Sequence, residues 1–346
     1  MKSQLSSHLL FALAVGAIAA ACGGEDDRGG RLDGTGGSGG KGAIAVGGKS
    51  SIPTTGGSSG TAPGGNSGGS ANTGNTGPYM LPDGYHSADD GGWLLGDPVT
   101  KDNQPDIGQE GESCGTTILG IVRDFKRGDK GGHPDFETFQ GKGQTGMVLG
   151  DLGTDSKPAY NANAPTSYPK DQACNKDNMQ GLPCTTTKAN FDEWYNDVPG
   201  TNDPYYIFFS LEPGDDGLAR FTSRAFFPLD GKGFGNEGAD HNFGFTTEVH
   251  TTFRYNGKER FKFTGDDDLW VFINKKLAID LGGLHESKSQ EILLDDLAKT
   301  LGIKVGQVYA LDLFHAERHS SASNFNIISN LSFVDCGVIV PSGEVR

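Results

Sequence analysis

The chain has little positive charge. Its 346 residues include 29 Lys and Arg against 44 Asp and Glu, which gives a formal net charge of -15. Binding to nucleic acid or to an anionic lipid surface is driven by clustered basic side chains, so the mean field of this chain opposes both. Neither is therefore expected as a partner through a basic patch, and cations are the more natural partners.

Hydrophobic residues are also scarce, at 34% of the chain, whereas Gly accounts for 55 residues. That is well above the roughly 7% Gly of ordinary proteins. Much of this glycine lies between Gly23 and Gly77, among Ser, Thr, Asn and Ala and without a single aromatic residue. Such a segment buries too little apolar surface to offset its own ordering entropy. We therefore predict a disordered Gly/Ser-rich tether over residues 22–78.

No apolar run is long enough to span a bilayer comfortably. The run Leu9 to Ala21 follows Lys2 and ends in small residues, which is typical of a secretory signal peptide over residues 1–21. The tetrad at 19–22 resembles the lipobox of bacterial lipoproteins and makes Cys22 a lipidation candidate. The protein is predicted to be exported and held at the cell surface or outer membrane by a lipid anchor. An ordinary signal peptide, which would release a secreted protein, is the alternative.

Cysteine is rare, with five residues in the chain. Those after Cys22 are Cys114, Cys174, Cys184 and Cys336. In an exported chain an even number predicts two disulfides, and four cysteines allow three pairings. We favour 174–184 with 114–336, because the first pair encloses a short loop and the second flanks the outermost strands. The spacing lacks the CxxC pattern of a zinc site.

Helical periodicity is almost absent, whereas short β-rich runs separated by Gly, Asn, Asp and Pro recur through the remainder of the chain. This pattern predicts one all-β domain over residues 79–346, an antiparallel, jelly-roll-like β-sandwich with short helical insertions. The turn Asn274-Lys275 predicts a tight hairpin. The predicted strands are 116–125, 205–211, 241–254, 259–263, 269–273, 276–280, 308–315 and 325–333, and the predicted helical turns are 191–195 and 293–301.

Three consecutive carboxylates, Asp266, Asp267 and Asp268, lie between two predicted strands. Like charges this close are costly unless a cation joins them. Carboxylate oxygens, completed by backbone carbonyls and an Asn from elsewhere, suit Ca²⁺. The spacing is not that of an EF-hand, and a solvated acidic turn is the alternative.

A second concentration of polar residues follows the strand that ends near residue 317. Strand alternation places His315 and Glu317 on one face and Arg318 on the other. His315 continues an apolar row and is predicted to be a satisfied core histidine. Glu317, His319 and Asn324 lie at the strand end, where polar pockets are commonly built. A transition-metal site of His315, Glu317 and His319 is the alternative.

A third candidate is the glycine-rich loop that carries His285. It follows a predicted strand and has the flexibility of a binding loop. The sequence contains no GxSxG, no phosphate-binding GxxxxGK[ST], no HExxH and no dinucleotide fingerprint. An enzyme with an obvious nucleophile is therefore disfavoured.

Five motifs in order give the chain a family resemblance. They are RDF at 123–125, HPDFE at 133–137, GDDDLWVFIN at 265–274, KLAIDLGGLH at 276–285 and YALDLFHAERHSSASNF at 309–325. Together they resemble the fibro-slime domain, a branch of the protective-antigen-type (PA14) β-sandwich superfamily. The resemblance covers roughly residues 114–336.

The resemblance implies a sandwich that often binds carbohydrate through calcium. In lectin-like members, two consecutive aspartates joined by a cis peptide bond hold the ion. Asp266-Asp267 matches that pair, with Asp268 in the neighbouring register. The second calcium loop has no clear counterpart, and Asn324 or the region 317–319 is the candidate. The implied metal ligands are thus the three aspartates with Asn324. The predicted ligand-binding residues are His285, Glu317, Arg318, His319 and Asn324.

Two classes of function follow. The leading hypothesis is a calcium-assisted glycan-binding or adhesion module at the cell surface or in extracellular matrix, with a glycan or matrix polysaccharide as partner. The competing hypothesis is a glycan-acting hydrolase or accessory domain in which Glu317 and Asp267 are paired carboxylates. A purely structural matrix protein is a third hypothesis. The absence of an attached catalytic domain favours a protein that is not an enzyme.

Overall fold

The structure is a computed structural model that describes residues 79–100, 102–103, 116–138, 143–164 and 185–335. The predicted signal peptide, Cys22 and the tether lie outside these residues. So do Cys114, Cys174, Cys184 and Cys336. The predictions of export, lipidation and disulfide pairing therefore stay predictions.

The described part of the chain consists mainly of β-strands with two short α-helices. Among its helices, none is both long enough and apolar enough to cross a membrane. The elements in chain order are β1 His86–Ser87, β2 Gly92–Pro98, β3 Thr117–Phe125, α1 Lys188–Asp192, β4 Asn202–Ser210, β5 Glu212–Pro213, β6 Ala219–Ser223, β7 Phe245–Arg254, β8 Arg260–Gly265, β9 Asp268–Ile273, β10 Lys276–Leu281, β11 Lys288–Leu293, α2 Leu294–Leu301, β12 Val308–Glu317, β13 Phe325–Ser329 and β14 Ser332–Asp335.

The strands of the described residues form two antiparallel sheets. The larger has nine strands in the order β1-β2-β4-β3-β7-β12-β9-β10, with β14 also paired to β7. The smaller has five strands in the order β11-β8-β13-β6-β5. The predicted antiparallel β-sandwich is confirmed. Consecutive strands β8 and β9 belong to different sheets, so the chain crosses between the sheets at the three aspartates.

Most predicted strands are present with shifted ends, but the run 325–333 is not one strand. It divides into β13 in the smaller sheet and β14 in the larger one. The Ser329 side chain accepts a hydrogen bond from the Leu331 backbone at 3.0 Å, and Leu331 turns into the core where the chain changes sheets. The predicted turn Asn274-Lys275 is confirmed, since both residues have positive φ, at 50° and 64°.

Aromatic side chains fill the space between the two sheets. Phe325 of β13 stacks on Phe209 at 5.4 Å and meets the edges of Phe263 and His315 at 5.0 and 5.1 Å. Edge-to-face and offset arrangements of this kind add to the gain from burial alone. In β12, every second side chain points into the space between the sheets, and Leu311 and Leu313 belong to this core. The same alternation points His315 inward and makes Glu317, the last residue of β12, the final inward-facing side chain.

The outer face of the nine-stranded sheet is buried as well. All six residues of β9 are buried, with Leu269, Val271 and Ile273 in the inter-sheet core and Trp270 and Phe272 on the opposite side. The outer face is covered by residues 126–138, 143–164 and 185–201, which we call the cover segment. The cover segment contributes the apolar side chains Phe136, Met147, Val148, Leu152, Phe191, Trp194 and Tyr195.

A buried charge network fixes the cover segment to the sheet. Glu248 of β7 is 1% exposed and accepts from Arg123 of β3 at 2.6 Å and from Lys157 of the cover segment. His250 places Nε2 at 2.5 Å from Glu248 and Nδ1 at 2.6 Å from Asp312. Because both ring nitrogens face carboxylate oxygens, only the imidazolium form donates both hydrogen bonds.

The His250 network predicts a loss of stability at alkaline pH. Burial alone would lower the pKa of His250, but hydrogen bonds to Asp312 and Glu248 outweigh it and raise the pKa above its ordinary 6.5. The stabilisation is complete below pH 6.5 and is lost as pH rises through the folded-state pKa. Urea unfolding between pH 6 and 9 should show a smaller loss for His250→Gln than for wild type.

The matched control for this experiment is His241→Gln, which removes a half-exposed histidine paired with Asp230. This control should keep the wild-type dependence of the free energy of unfolding on pH. Equal losses for His250→Gln and wild type would contradict the assignment.

Candidate functional site

Strand pairing brings four acidic side chains to one end of the sandwich. In the register of β12 with β9, Ala316 lies opposite Asp268, and in that of β13 with β8, Phe325 lies opposite Gly265. The crossing from β8 to β9 therefore lies beside the end of β12 and the start of β13. We call Asp266, Asp267, Asp268 and Glu317 the acidic end.

Asp266 is held by Asn324. One oxygen of Asp266 accepts hydrogen bonds from the Asn324 backbone N–H at 2.7 Å and from its side-chain amide at 2.5 Å. Burial raises the pKa of Asp266, and the two bonds from Asn324 partly offset this. The sequence prediction that Asn324 belongs with the aspartates is thus matched by direct contact.

Asp267 lies at the centre of the acidic end. It is 4% exposed and has a positive φ of 44°, an uncommon backbone conformation for a residue other than glycine. Its carboxylate accepts from the backbone N–H of Arg318 at 2.7 Å and of His285 at 3.4 Å. Burial raises its pKa to about 7 despite the nearby Arg318 guanidinium. Among the described residues no peptide bond is cis.

Asp268 is neutralised by a side chain of the protein. Arg318 places Nε at 2.6 Å and Nη2 at 2.5 Å from one Asp268 oxygen. The other oxygen accepts from the Gly283 backbone N–H at 2.5 Å. Gly283 has φ of 77°, and a Cβ there would lie 2.4 Å from the Gln144 backbone nitrogen, so only glycine fits.

Arg318 is also held by the cover segment. Its guanidinium lies over the Trp194 ring at 4.4 Å and donates to the Asp135 carbonyl at 3.1 Å. It is 0% exposed, so it does not present its charge to solvent. The residue predicted to bind a ligand thus joins Asp268 to the cover segment.

Glu317 is the unusual member of the acidic end. It is 0% exposed, and neither carboxylate oxygen makes a hydrogen bond of normal geometry among the described residues, although the Ser323 hydroxyl and the His319 backbone N–H lie close enough to lower its pKa in part. Burial, followed by the Asp267 carboxylate, raises its pKa well above the ordinary 4.5. The Ser323 hydroxyl beside it is also 0% exposed and makes no hydrogen bond of normal geometry among the described residues. An unpartnered buried carboxylate is costly, and a bound cation is one common remedy.

His315 is a core residue, as predicted, but it is not satisfied. It is 0% exposed among Phe245, Phe263 and Phe325, and neither ring nitrogen has a hydrogen-bond partner in the part of the chain that the structure describes. Burial lowers its pKa to about 3, so the ring is neutral. The prediction of a satisfied histidine was wrong because its neighbours on this face are aromatic.

The alternative site of His315, Glu317 and His319 does not form. β12 ends at Glu317, and His319 beyond it places Nδ1 at 2.9 Å from a Glu137 oxygen. The other Glu137 oxygen accepts from the Ser320 backbone N–H. Within the described ranges, no three His, Cys, Asp or Glu side chains are grouped as a metal centre. The spacing argument failed because it extended the strand by two residues.

The predicted ligand-binding residues divide by exposure. His285 is 6% exposed, with ring nitrogens 2.9 Å from the Leu281 and Glu286 carbonyls, and burial lowers its pKa. Glu317 and Arg318 are fully buried, whereas His319 and Asn324 are partly exposed. The loop 319–324 therefore forms the accessible rim of the acidic end.

Sequence reasoning missed Glu137 and the Glu248 network. Glu137 lies in the HPDFE motif, from which only the family resemblance was drawn. In β7, Glu248 and His250 lie on the same face as Thr246 and Thr252. A face made of polar residues is typical of a solvent-facing side. The cover segment buries that side, and its largely irregular backbone has no periodicity from which this could be predicted.

Comparison with known proteins identifies the domain. Residues 231–339 match the sequence model of the PA14 domain. This stretch of the chain is similar to the PA14 domain. The matched residues include the acidic end, β7 and β12, whereas the cover segment precedes them.

The chain has relatives in Dictyostelium discoideum. Protein psiC is 36% identical over 232 residues, which is 61% of this chain and 42% of psiC. Protein psiD is 36% identical over 232 residues, 63% of this chain and 41% of psiD. The chain thus spans about two fifths of each relative.

Solved structures give weaker similarities. The PA14 domain of the MpAFP antifreeze protein is 10% identical, covers 72% of this chain and 99% of its own, and has a TM-score of 0.26. A β-glucosidase from Kluyveromyces marxianus, crystallised with glucose, is 15% identical, covers 24% of this chain and 11% of its own, and has a TM-score of 0.18.

The buried Glu317 predicts that stability without added cations depends on pH. Because its folded-state pKa is raised, ionisation is more costly in the folded state, so stability falls as pH rises above the ordinary 4.5. In EDTA, chemical unfolding between pH 5 and 8 should show a smaller loss for Glu317→Gln than for wild type. Glu286→Gln, which alters an exposed carboxylate, is the control and should behave as wild type. An unchanged loss in Glu317→Gln would contradict the burial argument.

Proposed function

We propose that this protein is a glycan-binding, adhesive module of the cell surface or extracellular matrix, and that a calcium ion at the acidic end organises the binding site. The observation that carries the proposal is the fully buried Glu317 carboxylate beside Asp267, which makes no hydrogen bond of normal geometry among the described residues and whose pKa is raised by burial and by the Asp267 carboxylate. The PA14 match supports it, because PA14 domains occur in carbohydrate-binding proteins. The predicted signal peptide and tether are consistent with the location.

The oxygen donors at the acidic end are of the chemical type that calcium binds. Among the described residues they are not gathered as a metal centre, so the proposed ion has to draw them together on binding. Carboxylates come from Asp266, Asp267 and Glu317, and the Asn324 amide, which donates through nitrogen to Asp266, retains its oxygen. Calcium prefers oxygen ligands of this type and accepts backbone carbonyls to complete its shell. Asp268 is left out of the proposed set because Arg318 already neutralises it.

Calcium bound there would offset the like charges and present coordination positions to sugar hydroxyls. Access to solvent is through the loop 319–324, in which Ser321 and Ala322 are exposed and His319 and Asn324 partly exposed. Glu137 fixes this loop through His319 and Ser320. We therefore assign the first contact with the glycan to this rim, with Glu317 acting from inside the sandwich.

Binding is favoured over hydrolysis by the burial of the acidic pair. A glycosidase places its two carboxyl groups on either side of the scissile bond, in contact with the substrate. Glu317 is 0% exposed and Asp267 is 4% exposed, so the described residues give neither side chain open contact with a sugar. These burial values support the proposal of a binding module without turnover.

The test is a calcium titration of the full chain after treatment with EDTA, followed by calorimetry and thermal unfolding. Wild type should bind one ion and melt at a higher temperature in calcium, because a ligand at 100 times its Kd stabilises a protein by about 2.7 kcal/mol. Asp267→Asn and Glu317→Gln should lose most of this stabilisation. A glycan array read in calcium and in EDTA then tests the ligand class.

The matched control is Glu259→Gln. Glu259 is 4% exposed and has one unpartnered oxygen, but it lies at the opposite end of β8 from Asp266. This variant makes the same chemical change as Glu317→Gln and should retain calcium binding. Absence of binding at millimolar calcium, or equal binding in all variants, would refute the proposed ion site. Glycan binding that is unchanged in EDTA would refute the role of calcium.

A further inference from the structure

A groove of about 520 Å³ is lined by no residue of the acidic end. It is formed by the start of the cover segment at 126–134, the later stretch 193–201 and Phe234. The volume is in the range of small-molecule sites in proteins, about 300–1,000 Å³. Gly131, Gly132 and Gly200 are among its lining residues, so parts of its wall are bare backbone.

Phe234 gives the groove an aromatic wall. Its side chain is partly exposed and belongs to none of the three hydrophobic clusters of the described residues. Its backbone N–H donates to Asp124 at 2.5 Å, and the same carboxylate accepts from Asn242 at 2.7 Å. The aromatic ring is therefore carried by an anchored loop although it does not serve the core.

Glu193 gives the groove a carboxylate that accepts hydrogen bonds. His133 Nδ1 accepts from the Asp135 backbone N–H at 3.2 Å, so in the neutral ring Nε2 carries the proton. That nitrogen lies 3.2 Å from the Asn190 carbonyl and 3.3 Å from Glu193 Oε2. Burial lowers the pKa of His133 to about 4, which keeps the ring neutral. That single proton is directed at the Asn190 carbonyl, so Glu193 lies beside the ring without an ion pair, and its carboxylate lines the groove.

Two donors complete the lining. The Lys126 ammonium forms no ion pair with the acidic groups of the described residues within 4.0 Å, and the Thr201 hydroxyl forms no hydrogen bond there. Both residues line the groove. The groove therefore combines one acceptor, two donors and one aromatic face, with charges of opposite sign that balance. A phosphate would require more positive charge, and a lipid would require more apolar surface.

We propose that this groove is a second ligand site that takes one pyranose ring of a neutral glycan. The apolar face of the ring packs on Phe234, and its hydroxyls donate to Glu193 and accept from Lys126 and Thr201. Binding here involves no residue of the acidic end and requires no cation, so the inference goes beyond the proposed function and does not rest on it.

The groove lies near the rim of the acidic end. His133 lines the groove, and Glu137, four residues later, holds His319 and Ser320 of the rim. A chain of four residues spans at most about 14 Å. The groove and the rim are therefore close enough to contact different sugar units of one glycan chain.

The test is saturation-transfer NMR on the full chain in EDTA, with glucose, galactose, mannose and N-acetylglucosamine as separate probes. At least one sugar should receive saturation. Phe234→Ala should weaken its binding about tenfold, and Phe234→Trp should restore it. Thr201→Val should weaken binding about two- to tenfold, as expected for one lost hydrogen bond.

The matched control is Phe227→Ala, which removes a partly buried aromatic ring that stacks on His241, outside the groove lining. This control should bind the sugar as wild type does in EDTA. The proposal would be overturned if none of the four sugars received saturation, or if Phe234→Ala and Phe227→Ala bound equally.

Discussion

The buried guanidinium of Arg318 joins the parts of this molecule that matter for its site. It pairs with Asp268 of the sheet, donates to the Asp135 carbonyl of the cover segment and stacks on Trp194. A buried charge deprived of its partner costs about 3–5 kcal/mol. The cover segment and the aspartate crossing must therefore both be in place before this end of β12 is stable.

One consequence is that the acidic residues of this site have different electrostatic environments, although they look alike in sequence. Asp268 is neutralised internally, whereas Asp267 and Glu317 have raised pKa values and no ion pair of comparable quality. Because side chains alternate along a strand, the adjacent residues Glu317 and Arg318 lie on opposite faces of the same sheet. Arg318 forms its ion pair with Asp268 on the outer face of the sheet, whereas Glu317 lies at the end of the inter-sheet core.

Sequence patterns predicted the sandwich, most strands, the Asn274 turn and the association of Asp266 with Asn324. Those features depend on local alternation, turn chemistry and motif order. The roles of Arg318, Glu137 and Glu248 could not be predicted in the same way, because they depend on the cover segment. Its backbone is largely irregular, so no periodicity indicated that the polar side of β7 would be buried. The position of His319 could not be predicted because it depends on where β12 ends, and strand ends are poorly defined by sequence.

Both faces of the larger sheet are buried, and this determines the smallest fragment of the protein that is expected to fold by itself. The family match begins at residue 231, after β3, β4, β6 and the cover segment. A fragment cut there would expose Trp270 and Phe272 to water and leave β7 with an unpaired edge, both of which promote aggregation. The shared motif is therefore smaller than the folding unit.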